Sequence, residues 1–155
     1  MPNKSHAKPQ RVIRNEPLIL VVEDDEDNLF YTACILDLSN YQFLKADNGK
    51  AGLDIAMDKL PDLILLDIVM PKISGIEAIE TLRRNPLTNH IYILAVTGLV
   101  FPHQIKMIMD AGCDDYLNKP FTIEQLEAKL DLFLKGQASI EIGKKIKGLR
   151  PSYKL

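Results

Sequence analysis

An α/β fold, doubly wound around a five-stranded parallel sheet with helices on both faces, is what this sequence predicts, and three observations predict it. Five short runs of strand length alternate with five segments of helical periodicity along the 155 residues, the pattern of successive right-handed crossovers. The run from 62 to 67, Asp-Leu-Ile-Leu-Leu-Asp, is aliphatic without alternation, as in a central strand covered on both faces. The runs also end on polar residues: Glu23-Asp24 after the first, Asp67 at the end of the third, Thr97 after the fourth and Lys119 after the fifth. Carboxyl ends of strands form the rim at which open α/β sheets hold ligands.

Each element has its own signal. Pro17 leads into Leu18-Ile19-Leu20-Val21-Val22, a strand that stops at five consecutive acids, Glu23 to Asp27. Asp25 or Asp27 can cap the helix that follows, since carboxylates suit a positive helix N-terminus. That helix is expected over 27–38, with Leu29, Ala33 and Leu36 inward and Phe30 and Cys34 widening the stripe. A second strand over 41–46 leads through Asp47-Asn48-Gly49 into a helix over 50–59 with Leu53, Ala56, Met57 and Leu60 inward. After the third strand, Ser74-Gly75 opens a helix over 76–84 that Asn85-Pro86 closes. A fourth strand over 91–96, a helix over 103–111 ending at Gly112, and a fifth strand over 115–118 follow. Thr122 caps the last helix with Gln125 completing a capping box, and Leu126, Leu130 and Phe133 point inward as it runs to about Lys135.

Length and composition allow one domain with an ample core. Hydrophobic residues make up 46%, the apolar runs are strand-sized, and Met1-Pro2-Asn3-Lys4-Ser5-His6 leads into no apolar signal region. A cytoplasmic protein without a membrane span is therefore expected. Cys34 and Cys113 lack a C-x-x-C or a His at ligand spacing and are expected to be buried reduced thiols. The net charge of −2 divides unevenly: +3 over 1–16, +4 over 136–155 and −9 between them. The organisation expected is a basic, flexible extension over 1–16, a domain over 17–135 and a basic tail over 136–155, solvated and broken by Gly136, Gly143 and Gly148. An acidic body opposes nucleic-acid binding, and no G-x-G-x-x-G or G-x-x-x-x-G-K-[ST] offers a nucleotide site.

The strand-end residues belong together chemically. If the strand order is the flavodoxin-like 2-1-3-4-5, its switch point brings Glu23 and Asp24 beside Asp67, with Thr97 and Lys119 at the same edge. Crowded carboxylates repel, and an all-oxygen cluster without His or Cys suits Mg²⁺. Carboxylates are also covalent nucleophiles in phosphoryl transfer, where cations and a hydrogen-bond donor must meet the charge on the transferring group. Lys119 and Thr97 supply those.

Leu20-Val21-Val22-Glu23-Asp24-Asp25, the run Leu66 to Gly75 around Asp67 and Met70-Pro71, Ala95-Val96-Thr97-Gly98 and Lys119-Pro120-Phe121 together resemble the receiver domain of two-component response regulators, over about 18–135. The resemblance implies that Asp67 accepts a phosphoryl group from a histidine kinase or histidine phosphotransfer protein. It implies that Asp24, Glu23, Asp67 and the backbone carbonyl of Val69 hold Mg²⁺, that Lys119 contacts a phosphoryl oxygen ahead of a cis bond to Pro120, and that Thr97 and Tyr116 switch on phosphorylation. Output would then be a change of protein contacts through the fourth helix, fifth strand and fifth helix, near Phe101, Ile105, Met109 and Tyr116, with a phosphorylation-dependent homodimer also allowed. Such a chain is a switch and no enzyme beyond its own phosphorylation and slow dephosphorylation. Val69 and Leu99, two past Asp67 and Thr97, are aliphatic and cannot position a hydrolytic water, which predicts slow loss of the phosphoryl group. Gly98 leaves room for a small donor.

Three rivals have weaker support. A phosphatase of the haloacid-dehalogenase type needs a second Asp where Val69 stands. A degenerate receiver that binds partners without phosphorylation would not need all five site groups. A DNA-binding protein using the basic ends lacks a recognition helix. The run Lys144-Lys145-Ile146-Lys147 is left as a docking element, a linker or neither.

Overall fold

Hydrophobic strands that bury both faces must stack side by side, and they do so in the computed structural model, which describes residues 14–148. In chain order the elements are β1 (Leu18–Val22), α1 (Glu26–Leu38), β2 (Gln42–Ala46), α2 (Gly49–Lys59), β3 (Leu63–Asp67), α3 (Gly75–Arg84), β4 (Tyr92–Thr97), α4 (Pro102–Ala111), β5 (Asp115–Asn118) and α5 (Ile123–Gly148). The strands are all parallel in the order β2-β1-β3-β4-β5, as the alternation predicts. Two compact units make up the chain, one ending at Pro120 and the other beginning at Phe121 and carrying α5.

In the first unit the pleat divides β1, β3 and β4 between two layers. Leu20, Val22, Ile64, Leu66, Ile93 and Ala95 pack with Ala56 of α2, Ala78, Ile79 and Leu82 of α3 and Ile108 of α4. On the opposite face Thr32 of α1 lines a small cavity together with Val21, Leu65 and Val96. β3 is buried throughout, which is why its sequence shows no alternation.

Three caps are those the sequence signals, at Asp25, Ser74 and Thr122, and Asn48, read there as part of a turn, supplies the fourth. Asp25 Oδ1 accepts the Asn28 N–H at 2.9 Å, Asn48 Oδ1 that of Ala51 at 2.8 Å, and Ser74 Oγ that of Glu77 at 3.2 Å. Thr122 and Gln125 form the expected capping box, the Thr122 N–H donating to Gln125 Oε1 at 2.9 Å and the Gln125 N–H to Thr122 Oγ1 at 3.2 Å.

Several inward assignments need correction. Phe30 is 71% exposed and Met57 41%. The buried stripe of α1 is Thr32, Ala33, Ile35 and Leu36, which keeps the predicted Ala33 and Leu36 but widens away from Phe30, because Phe30 and Ile35 stand about 140° apart round the helix. Cys34 is half-buried and Cys113 buried, both as free thiols. The largest difference is at α5, which passes through Gly136 and Gly143 and reaches Gly148 rather than closing at about Lys135. Glycine costs about 1 kcal/mol against alanine inside a helix, too little to stop one whose other residues include Gln137, Ala138, Glu141, Lys144 and Lys145. Arg14, placed by sequence in a flexible extension, donates to the carbonyl oxygens of Leu60, at 2.9 Å, and Lys59 at the C-terminus of α2. Residues 1–13 and 149–155 of the two basic ends lie outside the described residues.

At the amino edge of the sheet, Arg83 fastens α3 to the strands. Its guanidinium donates to the carbonyl oxygens of Gly112 and Ile91, each at 2.7 Å, and to Asp114 Oδ2 at 2.8 Å. Asp114 Oδ2 in turn accepts the Ile93 N–H at 2.7 Å. Gly112 has φ +116°, and a Cβ there would stand 2.9 Å from Arg83 Cγ. Replacing Arg83 by Met keeps the stem and strands these acceptors. The expected outcome is a loss of about 2–3 kcal/mol in urea denaturation without change in the denaturant slope.

Candidate functional site

Strand register sets the rim. Val22 pairs with Leu66 and Asp67 with Val96, while Thr97 pairs with Asn118. One residue beyond each pair therefore stand Glu23, Thr97 and Lys119, all around Asp67. The Lys119 N–H donates to the Thr97 carbonyl oxygen at 2.8 Å, and the Lys119-Pro120 bond is cis, as the family resemblance implies.

The charges meet here. Lys119 Nζ lies 2.7 Å from Glu23 Oε2 and 3.2 Å from Asp67 Oδ1, and carboxylate oxygens of Glu23, Asp24 and Asp67 lie within 4.8 Å of one another. Glu23 and Asp67 are buried at 5% exposure each, and Asp24 is exposed. Burial first, and then the charge of Glu23, push the Asp67 carboxyl up to about 7, against a smaller opposing pull from Lys119. Burial alone would lower the Lys119 ammonium, but its hydrogen bond to Glu23 and the charges of Asp67 and Glu23 hold it above the ordinary lysine value. One ammonium thus compensates two buried carboxylates incompletely, and the remaining negative charge and hard oxygen donors fit a divalent cation. Thr97, fully buried, accepts the Leu99 N–H on Oγ1 at 2.9 Å.

Of the residues singled out in the sequence, the structure brings Glu23, Asp24, Asp67 and Lys119 together, with Thr97 joined to them through the Lys119 N–H. Tyr116 is half-buried and packs, like Ile105, against the α2–α4 core, whereas Phe101 and Met109 are exposed. Val69, two residues after Asp67, is 63% exposed, and a Cβ on Gly98 would meet nothing within 4 Å. Two contributors were missed. Gly75 lets α3 begin against the strand end: a Cβ would stand 2.5 Å from the Asp67 carbonyl oxygen and from Ile68 Cα. The only trace of this in the sequence is the Ser-Gly pair, which reads as a cap. Thr32, buried on α1, shares the lining of a small cavity with Glu23 and Asp67 and carries no motif.

The family model for the response regulator receiver domain matches residues 19–131. The chain belongs to the response regulator receiver family. Receiver domains of two-component systems are phosphorylation switches, and that is the general role of this one. The receiver is 31% identical over 116 residues to the polar-differentiation response regulator DivK of Brucella anthropi, covering 75% of this chain and 94% of that one. It is 36% identical over 125 residues to a probable cyclic di-GMP phosphodiesterase of Vibrio cholerae, covering 80% of this chain and 28% of that longer protein. The receiver domain of a sensor histidine kinase from Pseudomonas aeruginosa, solved with a magnesium ion in its active site cleft, superposes with a TM-score of 0.72 at 26% identity, over 77% of this chain and 98% of that one. Among the described residues no helix of this receiver is long and apolar enough to cross a membrane.

The raised Asp67 value has a stability consequence. A carboxyl favoured in its protonated form by folding contributes stability at low pH that is lost as pH rises through its folded value near 7. Asp67→Asn removes that loss. Without divalent cations, urea denaturation should show the variant's advantage over wild type growing by on the order of 2 kcal/mol between about pH 5 and pH 8. A constant difference would show that Asp67 ionises as an ordinary carboxylate.

Proposed function

We propose that Asp67 is the phosphoacceptor of this receiver, taking a phosphoryl group from a phosphohistidine on a histidine kinase or phosphotransfer protein. The observation that carries the reading is the single ammonium of Lys119 shared between Glu23 and Asp67 at 2.7 and 3.2 Å. A carboxylate oxygen of Asp67 attacks phosphorus, the N–P bond breaks with its electron pair returning to the imidazole, and an acyl phosphate forms. Lys119 already touches Asp67 and needs only a small shift toward a phosphoryl oxygen. Thr97 uses a lone pair for the Leu99 N–H, which leaves its hydroxyl hydrogen for another phosphoryl oxygen.

Glu23, Asp24, Asp67 and the Val69 carbonyl are the groups we assign to Mg²⁺, a choice supported by the all-oxygen cluster and by the magnesium in the Pseudomonas receiver. When bound, the cation neutralises the carboxylates and draws charge from the phosphoryl oxygens. Tyr116 and Thr97 then report the change to a downstream protein, for which Val100, Phe101, Met107 and Met109, all exposed, offer an apolar surface on and just before α4. The resemblance and the absence of a spanning helix among the described residues support action in the cytoplasm.

Incubation with acetyl phosphate and intact-mass measurement should show one added phosphoryl group with Mg²⁺, little without it, and none in Asp67→Asn. Wild type that stays unlabelled despite Mg²⁺ would instead mark a binding module independent of phosphorylation.

Val69 and Leu99 leave no polar side chain at the two positions that could hold a hydrolytic water. The phosphorylated chain should decay far more slowly than within seconds, and Val69→Asn should shorten its lifetime several-fold, read by mass after the donor is removed. Rapid decay of the wild type would contradict this account.

A further inference from the structure

A small cavity lined by α1 and by β1, β3 and β4 adjoins the acidic rim and has no part in the chemistry above. Its volume is about 10 Å³, room for a single water molecule. Val21, Leu65 and Val96 wall it, and Glu23, Thr32 and Asp67 are its polar lining. No lining residue is more than 7% exposed, so the space is internal. A cavity of equal volume beside α2 and α3 is lined by aliphatic side chains and two glycines only. Small apolar cavities stay dry, whereas one with several polar partners holds a water.

Thr32 is the partner that decides between the two cases. On a helix a threonine hydroxyl commonly bonds back to the carbonyl four residues earlier, as Thr81 does to Glu77 at 2.8 Å. Thr88, fully buried, donates to the Leu82 carbonyl oxygen at 2.8 Å instead. The Thr32 hydroxyl has no partner within the chain among the described residues, and no side-chain oxygen sealed from free space lacks one. It therefore opens onto the cavity that Thr32 lines. A buried hydroxyl left unbonded is costly, and valine would fill the same shape without that cost.

The carboxylates say what fits there. Glu23 and Asp67 bring oxygens within 4.8 Å of each other, a gap that one water spans with two hydrogen bonds. Lys119 reaches Glu23 Oε2 and Asp67 Oδ1, and the Asp25 N–H reaches Glu23 Oε1, yet each carboxylate keeps lone pairs to fill. Carboxylates only accept, so the bridging species must bring two hydrogens and accept a third from Thr32. A neutral water does both. We propose that Thr32 holds one water in this cavity against the carboxylates of Glu23 and Asp67, and through it positions Asp67 for attack on phosphorus. The positioning role rests on Asp67 being the phosphoacceptor. Thr32 acts only through the water, which restricts rotation of a nucleophile whose oxygen must meet phosphorus in line.

A high-resolution crystal structure of the full chain without a phosphoryl donor should show one water within hydrogen-bond distance of Thr32 Oγ1 and of a Glu23 or Asp67 carboxylate oxygen, and none in the apolar cavity beside α2 and α3. In Thr32→Val that water should be gone. At saturating Mg²⁺, the second-order rate of labelling by acetyl phosphate should fall several-fold in Thr32→Val, and Thr32→Ser, which keeps the hydroxyl and drops the methyl, should restore it. A dry cavity at Thr32 in wild type would overturn the proposal, even where valine disturbs folding. So would a valine variant that labels at the wild-type rate, or a serine variant as slow as valine, since the methyl and not the hydroxyl would then matter. A wild type that takes no label at all would instead remove the phosphoacceptor reading and the positioning role with it, while the electron density still decides the water site.

Discussion

The shared ammonium of Lys119 is the interaction on which the rim depends. Glu23 and Asp67 are both almost fully buried, at the ends of adjacent strands, and two buried carboxylates this close cannot both ionise cheaply. Lys119 offsets part of the repulsion and does so unequally, sitting closer to Glu23 than to Asp67. Burial, and after it the charge of Glu23, hold the Asp67 carboxyl above the ordinary carboxylate value, at about 7, and Lys119 offsets only part of that rise. Such a deficit of positive charge beside hard oxygen donors fits the acidic pocket at which receiver domains hold a divalent cation.

Everything around the rim serves to keep those groups in register. Parallel pairing aligns the strand ends so that single-residue offsets carry Glu23, Asp67, Thr97 and Lys119 to one level. Gly75 allows α3 to start in contact with the Asp67 backbone, so the loop after the acidic residue is short and held. Far from the site, Arg83 ties α3 to the approaches of β4 and β5 through carbonyl oxygens and Asp114. Chemistry and fastening are thus divided between the two edges of the sheet, and loops at the carboxyl edge can move without loosening the other.

α5 carries two separate commitments. Its first half is capped by the Thr122–Gln125 box and buries Leu126, Leu130 and Phe133. Its second half buries nothing described, yet keeps apolar side chains and an uneven charge.

The sequence alone determined the alternation of strands and helices, the burial of β3, three of the four caps and which polar residues stand at the strand ends. These follow from local rules: strand and helix periods, capping side chains and polar residues at strand ends are all written within a few positions of one another. Angular detail was less legible, and Phe30 and Met57 were misassigned because an apolar residue near a stripe's edge can face either way. The reach of α5 through Gly136 and Gly143 was hidden too, since a helix break is decided by the whole segment and not by one weak residue. Only the tertiary structure decided that Lys119 favours Glu23 over Asp67, that Thr32 borders the site and that Gly75 is required by a 2.5 Å approach. Those facts join residues far apart in the chain, and their distances exist only once the strands have been brought side by side.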